Sequence, residues 1–133
     1  MAALSKGQNI LLVDDEIQVA QTLEMIFRAR GYNVRLAHSA EEAIETIADW
    51  QPELAIVDVM LPQMNGIQLG EVLRANYPNC QVVLMSGHPG TADLVQSSRR
   101  EGQPAAEVLM KPLHPAHILE IVAGLLPGVA GEA

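Results

Sequence analysis

A single cysteine, Cys80, stands in 133 residues. That excludes an internal disulfide framework and any multi-thiolate metal site. Placed just before an apolar run, Cys80 reads as a half-buried, inert thiol. Aromatic residues make up 3% of the chain against 49% hydrophobic residues, so a core must be built from Leu, Ile, Val, Ala and Met. Basic residues are scarce: 8 Lys and Arg face 16 Asp and Glu, a formal net charge of −8. With neither a basic face nor a basic tail, direct contact of this domain with nucleic acid or an anionic membrane is disfavoured. No apolar run approaches the roughly 18 residues that span a bilayer. No basic start followed by an apolar stretch marks a secretory signal, so the chain reads as cytoplasmic. The length favours one domain with a real core.

The most informative stretch is Leu54 to Gly66, LAIVDVMLPQMNG. Four apolar residues stop on Asp58, and Pro62 and Asn65-Gly66 follow as turn residues. A short apolar run so bounded fits a strand buried on both faces. A carboxylate at its end is pushed out of the sheet's edge, where open α/β sheets carry their chemistry.

Similar units flank it. Asn9 to Val13 is an apolar run ending on Asp14, Asp15 and Glu16. Ile17, Ala20, Leu23, Ile26 and Phe27 recur at helical spacing, and Gly31 closes that helix. Val34 to Leu36 is a strand. Ser39 and Glu42 form a capping box opening a helix with Ala43, Ile44, Ile47 and Ala48 inward. After Gly66, Ile67, Leu69, Val72 and Leu73 mark a third helix. Gln81 to Met85 is a strand ending at Ser86-Gly87, and Ala92 to Glu101 a weaker helix. Glu107 to Met110 is the last strand, followed by Lys111-Pro112. Pro115 starts a final helix with Ile118, Leu119, Val122, Leu125 and Leu126 inward. Strand and helix alternate five times. That predicts a doubly wound α/β domain, a parallel sheet covered by helices on both faces. Residues 1–8 and 127–133 read as disordered ends of a domain spanning 9–126, with no effector domain after Leu126.

Four strand ends carry polar groups: Asp14-Asp15, Asp58, Ser86 and Lys111. In a parallel sheet these ends share one edge, and the first and third strands flank the crevice of one common strand order. Crowded carboxylates repel unless a cation joins them, and Mg²⁺ prefers oxygen ligands. Asp15 and Asp58 are the expected direct ligands, Asp14 a ligand directly or through water, and the Met60 carbonyl a further oxygen. Asp58 is the expected nucleophile toward a phosphoryl group. Lys111 supplies a fixed cation and Ser86 a hydroxyl for its oxygens.

The pieces VDDE (Val13 to Glu16), VDVMLPQMNG (Val57 to Gly66), MSG (Met85 to Gly87) and MKP (Met110 to Pro112), in this order and spacing, resemble a response-regulator receiver domain of bacterial two-component signalling. The resemblance covers Asn9 to Leu126. It implies a flavodoxin-like five-stranded sheet in the order 2-1-3-4-5 with five helices, and a cis Lys111-Pro112 bond. It implies that Asp58 takes a phosphoryl group from a histidine kinase or phosphotransfer protein, with Ser86 and Lys111 engaging it, and that the domain is no enzyme beyond its own phosphorylation and dephosphorylation. Signals would then leave through surface contacts, such as a face of the last two helices and the last strand, and homodimers could form there.

This sequence departs from the family at Val108, where an aromatic residue usually couples the hydroxyl residue to the surface. Residues 102–107 also depart. Val108 motivates an alternative, a degenerate receiver acting by protein contact alone. A Mg²⁺-dependent phosphatase would want an acid where Met60 stands. A nucleotide-binding flavodoxin relative would want Gly, Ser and Thr where Asp14 to Glu16 stand. Met60 and His88 occupy places that tune phosphoryl lifetime in the family. His38, His114 and His117 read as surface or helix-start residues.

Overall fold

A computed structural model describes residues 7–87, 90 and 107–126. Five strands form one parallel sheet: β1 (Asn9–Val13), β2 (Asn33–Ala37), β3 (Leu54–Asp58), β4 (Gln81–Ser86) and β5 (Glu107–Met110). Their order is β2-β1-β3-β4-β5, as expected. Among the described residues there are four helices: α1 (Ile17–Ala29), α2 (Ala40–Thr46), α3 (Gly66–Asn76) and α4 (Pro115–Leu125). The helix expected at Ala92 to Glu101, His88 and the disordered ends lie outside the described residues, apart from Gly7 and Gln8.

The sheet separates two cores because strand side chains alternate between faces. Leu11, Val13, Ala55, Val57 and Leu84 pack beneath α2 and α3. Ile10, Leu12, Ile56, Val83 and Met85 pack beneath α1 and α4. Every residue of β3 is buried, as a central strand covered on both faces requires. Cys80 is buried, and burial pushes its thiol up to about 11.

Several local expectations are corrected. The helix α2 ends at Thr46, so its inward line is Ala40, Ala43 and Ile47, while Ile44 and Ala48 face solvent. Two turns cannot carry a wider stripe. Ser39 caps α2 by accepting from Glu42 N at 3.0 Å, but the returning Glu42 Oε1 accepts from His38 N, not from Ser39. Ile17, expected inward, is 54% exposed, because the first residue of α1 stands at the rim of the sheet. A reciprocal capping box at α3, read from sequence only as a turn, joins Asn65 and Gln68.

Candidate functional site

β1 and β3 are paired with Val13 opposite Val57, so Asp14 and Asp58 emerge side by side. Both make the same local turn. Asp14 Oδ1 accepts from Glu16 N at 2.9 Å, and Asp58 Oδ1 accepts from Met60 N at 3.1 Å. An aspartate that bonds the backbone two residues on holds its chain in a turn. Each is thereby fixed with its second oxygen, Oδ2, turned toward the same point.

That point is the Lys111 ammonium. Lys111 Nζ lies 3.0 Å from Asp58 Oδ2, 3.0 Å from Asp14 Oδ2 and 2.8 Å from Glu16 Oε1. The pairing of β4 with β5 sets Ser86 opposite Met110, which leaves Lys111 one residue past the sheet. Its N–H donates to the Ser86 carbonyl at 2.9 Å, and the long side chain reaches back across two strands. Asp14, Asp58 and Ser86 are buried polar residues. The Lys111-Pro112 bond is cis.

An open cleft of about 320 Å³ lies over this cluster, lined by Asp15, Glu16, Asp58, Met60, Gly87 and Lys111. A second, mainly apolar groove of about 530 Å³ runs between α1 and the start of α4, past Val19, Leu23, Ile26 and Leu113. Glu16 and Lys111 border both.

The matching family model is the response regulator receiver domain, over residues 10–123. The chain belongs to that family. It is 30% identical over 119 residues to the DNA-binding response regulator MtrA of Mycobacterium tuberculosis, across 90% of this chain and 50% of that one. It is 34% identical over 123 residues to the response regulator protein FleR of Pseudomonas aeruginosa, across 90% and 25%. The chain therefore spans about half the length, or less, of these curated relatives. Of solved structures, a CheY-like receiver domain protein from Methanospirillum hungatei is similar with a TM-score of 0.80 and 26% identity, covering 96% of this chain and 99% of that one. The receiver domain of NtrX from Brucella abortus gives 0.77 and 27%, covering 90% and 98%. A receiver belongs to two-component signalling and is not a conventional enzyme.

The receiver's sequence-predicted residues fall as follows. Asp14, Asp58 and Lys111 meet directly, Ser86 is buried at the end of β4 with its carbonyl bonded to the Lys111 N–H, and Asp15 and Met60 line the cleft from its exposed rim. Three residues were missed. Glu16 reads from sequence only as the third acid after the first strand, yet it makes the shortest contact to Lys111. Gly66 looked like a turn residue, yet a Cβ there would sit 2.1 Å from the Asp58 carbonyl oxygen. His38, expected at the surface, is half-buried, and its Nδ1 lies 3.0 Å from the Asp14 carbonyl oxygen. Only Gly66 left a signal: glycine directly after an N-cap, on a helix beginning beside the key strand.

The residues fit Mg²⁺. Asp14 Oδ2 is buried and has no hydrogen bond; its approach to Lys111 is an ion pair without hydrogen-bond geometry. Carboxylate oxygens of Asp14, Glu16 and Asp58 lie within 4.8 Å of one another. Ligands at about 2.1 Å set octahedral oxygens about 3 to 4.2 Å apart, so a small closure suffices. Burial raises the Asp14 carboxyl above its ordinary range, against the lowering effects of the Glu16 amide and Lys111. Lys111 holds Glu16 low. Burial alone would lower Lys111, but its carboxylate partners, Glu16 first, hold it above the ordinary lysine range.

These shifts fix a pH dependence. The folded chain protonates Asp14 more readily than the unfolded chain does, so the contribution of Asp14 grows on acidification and is lost as pH rises through its raised value. Glu16 and Asp49 are held low by Lys111 and Arg35, so their contributions fade only below the ordinary carboxylate range. In chelator, wild type is expected to lose less urea resistance than Asp14→Asn between about pH 7 and about pH 5. Urea midpoints check this, and Mg²⁺, which opposes protonation of Asp14, should erase the difference.

Proposed function

We propose that Asp58 accepts a phosphoryl group from a phosphohistidine on a sensor histidine kinase or histidine phosphotransfer protein, and that the modified domain changes its protein contacts. The carrying observation is Asp58 itself: a carboxylate 4% exposed, at the end of the central strand, opening into a cleft with an ammonium 3.0 Å from Oδ2. A carboxylate oxygen attacks phosphorus, the P–O bond forms and the P–N bond breaks. The imidazole leaves with the electron pair and takes up a proton.

Asp14, Asp15, Asp58 and the Met60 carbonyl would hold Mg²⁺. When bound, the ion neutralises charge between the carboxylates and the incoming phosphoryl oxygens. Lys111 sets its ammonium 3.0 Å from Asp58 Oδ2 before transfer and binds a phosphoryl oxygen afterwards. The Ser86 hydroxyl would donate to another. The domain, 9–126 in this reading, works in the cytoplasm. No helix among the described residues is long and apolar enough to cross a membrane.

The test is incubation with a small phosphoryl donor and Mg²⁺. Wild type is expected to gain the mass of one phosphoryl group, and Asp58→Ala none. No adduct on wild type, or an undiminished one on the variant, contradicts the reading.

A second reading is favoured by Val108, which is half-buried and packs against the α2–α3 core where the family usually has an aromatic residue. There the domain works by contact alone. Partner binding by a wild type that takes up no phosphoryl group would support it, and Mg²⁺-dependent phosphorylation would exclude it.

A further inference from the structure

We propose that Glu16 is the positioning residue for Lys111: it retains the ammonium at the cleft rim when a divalent cation takes the Asp14 and Asp58 oxygens. This rests on the Mg²⁺ reading above. Of the three carboxylates on Lys111, Asp14 and Asp58 are buried, while the Glu16 side chain is 60% exposed. The two aspartates are fixed by the backbone bonds of their first oxygens, so their second oxygens cannot follow Lys111 outward. Glu16, the N-cap residue of α1, makes no side-chain cap bond and is free to follow it.

Two cations compete for the buried oxygens. A divalent ion on Asp14 and Asp58 repels the ammonium, which would swing into solvent without another anion nearby. It must nonetheless stay within reach of a phosphoryl group on Asp58. Glu16 meets both needs: at 2.8 Å it is the nearest anion, and it sits on the wall shared by the cleft and the apolar groove. A direct role as cation ligand is the competing explanation, and the two differ in what Lys111 does to the effect.

Mg²⁺ affinity, measured by calorimetry, separates them. Glu16→Gln is expected to weaken binding about fivefold, the upper range of an exposed ion pair. In a Lys111→Met background the same change should matter less than about twofold, since no ammonium needs holding. An equal effect in both backgrounds overturns the proposal and assigns Glu16 to the cation. Wild type that binds Mg²⁺ keeps the parent reading intact in that case; wild type that binds none removes both. A second measurement needs no lysine variant. The Lys111 ammonium should give a ¹⁵N signal that persists in Mg²⁺-saturated wild type and broadens away in Glu16→Gln. Its persistence in the variant also overturns the proposal.

Discussion

Gly66→Ala is expected to destabilise this receiver by about 3 kcal/mol and to cut phosphoryl uptake more than tenfold. Helix propensity points the other way, since alanine inside a helix is favoured over glycine by about 1 kcal/mol. Distance decides. A Cβ on Gly66 would lie 2.1 Å from the Asp58 carbonyl oxygen, 2.8 Å from its carbonyl carbon and 2.8 Å from the Val59 Cα. All three are backbone atoms, so no rotamer relieves the clash. Either α3 moves off the sheet or the end of β3 moves with Asp58 on it. The Gly66 N–H bond to the Val59 carbonyl, 3.0 Å, is lost in either case. Gly70→Ala is the control: its Cβ would meet the Val82 Cγ1 at 3.4 Å and the Arg74 Nη1 at 3.9 Å, ordinary side-chain contacts, so neutral or higher stability is expected. Urea midpoints and uptake from a small donor check both. A Gly66→Ala protein as stable and as readily phosphorylated as wild type contradicts the packing described.

The second large effect belongs to Lys111→Met. It leaves Asp14 and Asp58 facing each other without a counter-charge. Breaking a fully buried pair costs about 3 to 5 kcal/mol, and the open cleft reduces this to about 2 kcal/mol at neutral pH. Lys111 opposes the rise of the Asp14 carboxyl, so its loss lifts Asp14 further in the folded state; stability then returns on acidification and is lost as pH rises through that raised value. Mg²⁺ should protect this variant more than wild type, because no ammonium competes for the oxygens. Phosphoryl uptake should fall despite the tighter cation, since the phosphoryl group loses its fixed cation. Thermal melts with and without Mg²⁺ at two pH values test all of it. Mg²⁺ protection weaker than in wild type would contradict the competition.

The sheet was legible in the sequence because each strand is a short apolar run between breakers. β3 is the clearest case, with five residues all buried and a carboxylate at its end. The convergence of Asp14, Asp58 and Lys111 was legible because parallel strands share one edge, so a polar group at each strand's end is enough. What escaped notice depends on contacts between segments far apart in sequence. Glu16 became significant only through Lys111, 95 residues later. His38 reaches the Asp14 carbonyl across 24 residues. Gly66 matters for the backbone beneath it, which no spacing rule reveals. In α2 the periodicity was right in kind but ran past the helix end, and Ile44 and Ala48 were drawn inward with it.

Chemical trapping locates the phosphoryl group. Borohydride reduces an aspartyl phosphate to homoserine, so peptide sequencing after reduction marks the residue that carried it. Homoserine at position 58 and at no other aspartate is the expected result. Homoserine at position 14 or 15, or an adduct that leaves no homoserine at all, would contradict the account.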